Sequence, residues 1–393
     1  MDYASLVNAL QEASTSRSPE RLREAYEVLL REYPHCNGYW KQLADFEVKE
    51  GNAKRANEVY ERALVMGCYS VDLWAFYGMH ATANWQCPED VRVLFERGAR
   101  FVGSDYGADV FWDRYIAFET ARADANHSRR VVSHVYRRAL QQPLRSLDAL
   151  WLRFQQLAVE SSCAEVLDDN EEVALQQTLE AAGLPPHRRN SAEAEDDGAR
   201  KLRLLPLLEN QFRRAKADHS ERLQWEGGVC RRHFHVRSAR DEELEHWHNY
   251  LDWEERHGDV PRLILTYERC LVPCCLEPGM WRRYINVLEG REMVAEARNA
   301  FSRASGSFLK HHSSFLLEHA AFEEAHRSVS KARHLCVACT SLQPPVLEAF
   351  LAQVNLEVGA ICSKPLICCF LLLPSRTRRD DCFHPCAHAE APG

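Results

Sequence analysis

An aromatic or bulky apolar residue opens the same short pattern repeatedly along this chain, at Trp40, Trp74, Trp112, Trp151, Trp247 and Trp281 and, in weaker form, at Leu316 and Phe350. Successive gaps are 34, 38, 39, 96, 34, 35 and 34 residues. The clearest copies are Trp40-x-x-Leu43-x-x-Phe46-Glu47, Trp112-x-x-Tyr115-x-x-Phe118-Glu119 and Trp247-x-x-Tyr250-x-x-Trp253-Glu254. After a short turn a second pattern follows: Tyr60-Glu61-Arg62-Ala63-Leu64, Tyr136-Arg137-Arg138-Ala139-Leu140, Tyr267-Glu268-Arg269-Cys270-Leu271. A fixed period of this size marks helix pairs, each burying its apolar face only against its neighbours. The predicted fold is all-α: a right-handed α-solenoid of antiparallel helix pairs, in two arrays separated by the long gap. Such a stack favours a scaffold over an enzyme.

The organisation follows from the spacing. Residues 1–160 form the first array, beginning with a helix pair that lacks the full motif; Ser18-Pro19-Glu20 is a good helix start within it. Residues 161–200 carry an acidic cluster and a Ser/Ala/Glu/Asp-rich run, the composition of a partly disordered linker. Residues 201–241 hold a long charged helix and a Phe234-His235-Val236 segment. The second array covers 242–357. From Val358 the character changes: residues 358–393 are Cys- and Pro-rich without helical periodicity, and the pair opened by Phe350 is not closed. The tail reads as an alternative or read-through terminus that replaces further repeats.

On a helical wheel, Trp40, Leu43 and Phe46 form an apolar stripe of about 120°. Glu47 falls inside that stripe, and Glu119, Glu254, Glu289, Glu323 and Glu357 occupy the same place in their units. A carboxylate on a packed face, near a helix C-terminus where the dipole disfavours it, needs a partner. The recurring arginine of the second helix, at Arg62, Arg97, Arg138, Arg269 and Arg303, is the expected one, giving about one pair per repeat. The tryptophans, including Trp74, Trp151 and Trp281, are expected to be wedges between helices.

Nothing else in the chain points to chemistry. There is no glycine loop for phosphates and no zinc-protease helix. Cys336-x-x-Cys339 lies in an amphipathic pattern and reads as helix packing. Cys382, His384, Cys386 and His388 resemble a ligand cluster, but a cysteine-rich tail of accidental composition looks the same. His233/His235 and His246/His248 are two residues apart and do not face one another on a helix. No catalytic residue, metal or cofactor is assigned. The net charge of −8 argues against broad nucleic-acid binding, and pairs such as Arg129-Arg130, Arg137-Arg138 and Arg282-Arg283 read as solvated helix faces, so RNA contact is expected to be indirect or weak. The fifteen cysteines, several at helix positions like Cys270, suggest free thiols in a reducing compartment, since the first residues lack the pattern of a secretory signal. The longest apolar stretch, Pro365 to Pro374, is half the roughly 20 residues of a membrane helix, so no membrane span is expected.

The aromatic-Glu end of the first helix and the Tyr-Glu-Arg-Ala-Leu second helix resemble the HAT (half-a-TPR) family. The tetratricopeptide family usually has a Leu-Gly step after its opening Trp, which Trp40-Lys41-Gln42-Leu43-Ala44 lacks. Within HAT proteins, Tyr39-Trp40-Lys41, Ser70 to Trp74, Phe234-His235-Val236 and Ala321-Phe322-Glu323-Glu324 resemble a group of splicing factors associated with the U1 small nuclear ribonucleoprotein, over residues 20 to 357. That resemblance implies a non-catalytic nuclear scaffold that contacts U1 proteins and helps the particle engage 5′ splice sites. Proteins of this type dimerise, with themselves or a related HAT partner, through their C-terminal repeats. Here the repeats expected beyond Glu357 are replaced; if they complete the dimer contact, this chain is expected to be monomeric or to expose an apolar helix face. The alternatives are a HAT scaffold of mRNA 3′-end processing, against which the interrupted array and the Phe-His-Val segment argue, and a TPR-type chaperone adaptor. The adaptor would need a Lys/Asn cluster where the sequence shows mostly Arg pairs.

Overall fold

The computed structural model describes residues 2–16, 18–122, 128–161, 163–166, 194–342 and 347–362. Most of the expected acidic linker and the tail beyond Cys362, with its Cys/His cluster, lie outside them. Among the described residues the secondary structure is helical throughout, with no strand. The chain divides into two compact units, Met1–Phe308 and Leu309–Gly393.

In the first unit the elements are α1 (Tyr3–Thr15), α2 (Pro19–Glu32), α3 (Asn37–Lys49), α4 (Ala53–Gly67), α5 (Val71–Asn84), α6 (Pro88–Val102), α7 (Asp109–Ala121), α8 (Ser128–Leu140), α9 (Leu147–Glu160) and the short α10 (Cys163–Val166). They continue with α11 (Ala194–Glu226), α12 (Asp241–His257), α13 (Val260–Cys270), α14 (Pro278–Glu289) and α15 (Val294–Arg303), which ends in a π-helical turn at Ala304–Phe308. The second unit holds α16 (Ser313–Ala325), α17 (Val329–Thr340) and α18 (Leu347–Cys362). The fold is an all-α solenoid in which α1 and α2, α3 and α4, α5 and α6, α7 and α8, α12 and α13, α14 and α15, and α16 and α17 pack as helix pairs.

Local chemistry sets the helix ends. Proline occupies the first turn of α2, α6, α13 and α14, where its missing N–H costs nothing. The Ser70 and Asp259 side chains accept from the backbone N–H of Leu73 and Arg262 at 3.3 and 2.9 Å. Three first helices stop in the same way. Asn52 N–H donates to the Glu47 carbonyl (2.8 Å), Met293 N–H to Leu288 (3.0 Å) and Ser328 N–H to Glu323 (2.7 Å). Each closure needs a left-handed residue, and Gly51 supplies it at φ 79° while Glu292 and Arg327 adopt it without glycine's freedom. Glycine is also required where helices approach most closely: a Cβ on Gly78 would lie 2.6 Å from the Phe95 ring, and one on Gly98 2.7 Å from Phe111.

Two boundaries and one role differ from the sequence reading. The long helix α11 starts at Ala194, inside the expected linker. It is also more than a connection. Near its middle Phe212 stacks on Trp151 of α9 at 4.9 Å, and at its end Trp225 stacks on Tyr250 of α12 at 5.9 Å. One helix thus supplies partner surfaces to both arrays. Finally, α18 continues past Glu357 to Cys362, since Val358 to Cys362 contains no helix-breaking proline.

Within the first unit the connecting segment and the turn after α15 pack back on the first array. Phe234, of the segment singled out in the sequence, lies 6.0 Å from the Tyr33 ring and 6.2 Å from Phe308. His35 stacks on Phe308 at 4.6 Å. Cys336 and Cys339 are buried in the second unit. The pair Arg137-Arg138 is not a solvated face: Arg137 is buried, and Arg138 forms an ion pair with Glu96.

Candidate functional site

The repeated polar residues converge on the contacts between successive helix pairs. In the best-formed case Glu268 of α13 accepts from both guanidinium nitrogens of Arg303 in α15 (2.8 and 2.5 Å) and from the Tyr284 hydroxyl of α14 (2.9 Å). The Arg303 guanidinium lies 5.6 Å over the Trp281 ring, and the Trp281 indole N–H donates to the Cys275 carbonyl at 2.8 Å. Carboxylate, arginine, phenol and indole therefore form one unit across a repeat boundary. Its geometry is a bidentate Arg–carboxylate fork with a cation–π face.

The same unit recurs. Glu61 accepts from Arg97 (2.8 and 2.9 Å) and Tyr77 (3.1 Å), with Arg97 5.2 Å over Trp74. Glu96 accepts from Arg138 (2.5 Å) and Tyr115 (2.7 Å), with Arg138 5.6 Å over Trp112. Glu226 accepts from Arg269 (2.5 and 2.7 Å) and Tyr250 (2.9 Å), and Arg269 also meets Asp105 of the first array at 3.2 Å. Glu27 pairs with Arg62, which lies 5.5 Å over Trp40; Leu43 stands where the other units have tyrosine. The indoles of Trp40, Trp74 and Trp112 donate to the carbonyls of Pro34, Cys68 and Gly103 at 2.8, 2.7 and 2.9 Å. Trp247 is buried beside Tyr250.

The predicted arginines are thus paired, but not with the predicted glutamates. Glu47 turns back to Arg23 at 2.6 Å and Glu119 to Arg92 at 2.7 Å, both on the preceding second helix. Glu254 turns forward to Arg262 at 2.7 Å, and Glu323 to Lys331 at 2.7 Å. Glu357 meets Arg333 at 2.5 Å. Glu289 is exposed at the last residue of α14 and escapes to solvent. The reason is geometric. The carboxylate at the end of the first helix lies beside the start of a second helix, whereas Arg62 and its equivalents lie towards the far end, over the tryptophan. The missed partners Glu27, Glu61, Glu96, Glu226 and Glu268 had a signal: each directly follows an aromatic residue, and Glu27, Glu61 and Glu96 repeat with the period of the first array.

Burial and charge compete at these carboxylates. Burial acts to raise the Glu226 carboxyl, but Arg269, Tyr250 and Arg232 hold it below the usual range. At Glu96 Arg138 and Tyr115 likewise overcome burial. At Glu254 burial wins over Arg262 and Arg222 and the carboxyl is raised; one of its oxygens has no hydrogen-bond partner. Beside the Glu226–Arg269 contact lies a cleft of about 280 Å³ lined by Tyr69, Asp72, Asp105, Arg232 and Trp247. Its Asp105 is already taken by Arg269.

His35 gives the packing of the arrays a pH dependence. Burial, reinforced by Arg303, holds its imidazole down to about 3. An unfolded histidine titrates near 6.5. Below that pH the unfolded chain binds a proton that the folded chain refuses, so stability falls as pH drops from 6.5 towards 3, by up to about 1.4 kcal/mol per unit. His35→Phe keeps the stack on Phe308 and removes this term. Urea midpoints measured at pH 7, 6 and 5 are expected to fall less steeply in the variant; parallel slopes would show that His35 is protonated in the fold.

Two family models match the chain: the PRP39 N-terminal HAT repeat over residues 1–156 and the PRP39 C-terminal HAT repeat over residues 220–358. Together they cover well over half of it, in the order in which the two arrays occur. The chain belongs to the PRP39 family of HAT-repeat proteins. Its relatives include Pre-mRNA-processing factor 39-2 of Arabidopsis thaliana, 30% identical over 74% of this chain and 29% of that protein. Pre-mRNA-processing factor 39 of Danio rerio is 28% identical over 73% of this chain and 41% of its own length. The chain therefore spans less than half the length of these PRP39 relatives. A shorter match, 26% identical over 33% of this chain and 19% of the other, is to Cleavage stimulation factor subunit 77 of Arabidopsis thaliana.

Proposed function

We propose that the chain is a non-catalytic nuclear scaffold of pre-mRNA splicing that helps the U1 small nuclear ribonucleoprotein engage 5′ splice sites through protein–protein contacts. The observation that carries this reading is the match of both arrays to PRP39 repeat families. The geometry supports it: the recurring carboxylates, arginines, phenols and indoles are spent on each other at the repeat boundaries, which builds a rigid stack. Among the described residues no cluster of His, Cys, Asp or Glu has the arrangement of a metal site, and no helix is long and apolar enough to cross a membrane. Partners are U1 particle proteins, with a second HAT protein as a further partner through the C-terminal repeats.

The test is to purify the tagged chain from nuclear extract and sequence the small RNAs that accompany it. Strong enrichment of U1 RNA over the other spliceosomal RNAs is the expected result. Equal recovery of all of them would overturn the reading. The match to a cleavage stimulation factor subunit favours one competitor, a scaffold of mRNA 3′-end processing; co-purification of cleavage factors without U1 RNA would establish that instead.

A further inference from the structure

The cleft beside the Glu226–Arg269 contact keeps spare cationic donors above an apolar floor. Its apolar lining comes from Val71, Val110, Val229 and Val272 with Tyr69 and Trp247, so both arrays and the segment between them contribute. At about 280 Å³ it falls just short of the roughly 300–1,000 Å³ of small-molecule pockets and suits one large side chain with its backbone. Asp105 has both oxygens engaged, one accepting from the Gly107 N–H at 2.6 Å and the other facing Arg269 at 3.2 Å. Arg145 and Arg232 meet at Tyr106. The Arg145 backbone N–H donates to the Tyr106 carbonyl at 2.8 Å, and the Arg232 guanidinium lies 5.8 Å over the Tyr106 ring. Arg145 gives one side-chain nitrogen to Asp109 (2.8 Å), and Arg232 gives one to the Glu226 carbonyl (3.3 Å). A guanidinium carries five N–H donors, and these two side chains are 52% and 35% exposed. Val110 opens α7, whose N-cap Ala108 makes no side-chain capping bond, so the positive end of that helix lies at the same cleft. The other carboxylate of the lining is Asp72, 3.8 Å from His233.

We propose that this cleft binds an extended segment of a partner protein in which a branched apolar or aromatic side chain stands two residues from an Asp or Glu. The apolar side chain fills the space among the valines, and the carboxylate takes the spare donors of Arg145 and Arg232. Residues two apart in an extended chain point the same way, about 7 Å from one another, so one segment presents both. Asp72 accepts from a backbone N–H of that segment. Charge selects the occupant: the arginines keep donors while Asp105 is already engaged, which favours a ligand that brings acceptors over a basic one. A nucleic acid also brings acceptors, but its bases stack on open aromatic faces. Here the walls are mostly valine, Trp247 is already stacked on Tyr250, and the chain carries a net charge of −8. The site deepens the scaffold reading, from which it takes only that the occupant is a protein. Because its lining comes from both arrays, the occupant also ties them together.

Peptide-phage selection on the immobilised full chain tests this, with Val110→Glu as the blocked chain. Val110 is 42% exposed, and a carboxylate in the first turn of α7 suits that helix end while competing for the arginines. The expected result is enrichment of peptides with an apolar residue two positions from Asp or Glu, on the native chain only. A synthetic copy of the enriched peptide, followed by fluorescence anisotropy, is expected to bind about tenfold more weakly to Arg145→Gln and to Arg232→Gln, as for the loss of one charge-assisted hydrogen bond. Replacing the peptide's acid by its amide should cost the same and needs no variant of the chain. No enriched peptide, enrichment without an acid, or equal binding by Val110→Glu overturns the proposal. Binding of a uridine oligonucleotide in place of any peptide would give the arginines to phosphate and overturns it too. A chain that selects such peptides yet recovers no U1 RNA keeps the site and loses the splicing role; one that recovers U1 RNA yet selects no peptide keeps the role and loses the site.

Discussion

Trp281→Ala is expected to lower the unfolding free energy by about 3–5 kcal/mol, the usual cost of truncating a large buried aromatic residue. Trp281 is fully buried, and three losses coincide there. Removing the ring leaves a cavity beneath Phe308, whose ring stacks at 6.2 Å. The Cys275 carbonyl loses its indole donor, and the Arg303 guanidinium loses the face it lies over. Because a solenoid is held by nearest-neighbour contacts, the damage should also be local. Hydrogen exchange should show α14 and α15 opening well before α3 to α8. Urea denaturation followed by circular dichroism measures the total, with Val93→Ala, at a residue 67% exposed, as a control expected to change stability by no more than about 0.5 kcal/mol. A loss below about 1.5 kcal/mol for Trp281→Ala would mean that the neighbours close over the gap and that the tryptophan is no wedge.

Glu268→Ala is expected to cost about as much, 3–5 kcal/mol, although it removes only a few atoms. The carboxylate is the common acceptor for Arg303 and Tyr284; Tyr284 is buried with it, and the Arg303 side chain is only 10% exposed. Without it a guanidinium stays in the interior with its counter-charge gone. The pair itself is a much weaker source of stability than this number suggests, because desolvating two charges offsets most of their attraction. Glu268→Ala combined with Arg303→Met should therefore be substantially more stable than Glu268→Ala alone, as the Met side chain packs against Trp281 without a charge. Equal stability of the single and double variants would show that Arg303 reaches water once Glu268 is gone, and that the repeat boundary is looser than its geometry implies.

The repeat chemistry divides cleanly into what was legible and what was not. Tryptophan openers, second-helix arginines and the buried carboxylates at first-helix ends could all be placed from periodicity, because a side chain's face on a helix depends only on its position along that helix. Of the six glutamates placed on that face, Glu47, Glu119, Glu254 and Glu323 are buried, Glu357 is half-buried and Glu289 is exposed. Their partners could not be assigned in the same way. Glu47 reaches back to Arg23 and Glu254 reaches forward to Arg262, and either arginine is within range until the helices are stacked. The carboxylates that do hold the second-helix arginines sit one residue before an arginine of their own helix in Glu61-Arg62 and Glu268-Arg269. Adjacent residues point about 100° apart, so each reaches across the boundary to the arginine of the next unit.

The amino-acid sequence by itself determined the helix pairs, their period, the two arrays and the family, since all of these rest on short-range patterning and on residue order. Only the tertiary structure decided that α11 lends partner surfaces to both arrays, that Phe234 and His35 fasten the second array to the first, and that Arg145 and Arg232 line one apolar cleft. Those facts depend on contacts between residues far apart in the chain, such as Arg269 with Asp105 or Tyr33 with Phe234. A local pattern says which face of a helix is apolar; what comes to cover that face is settled by how the whole chain stacks.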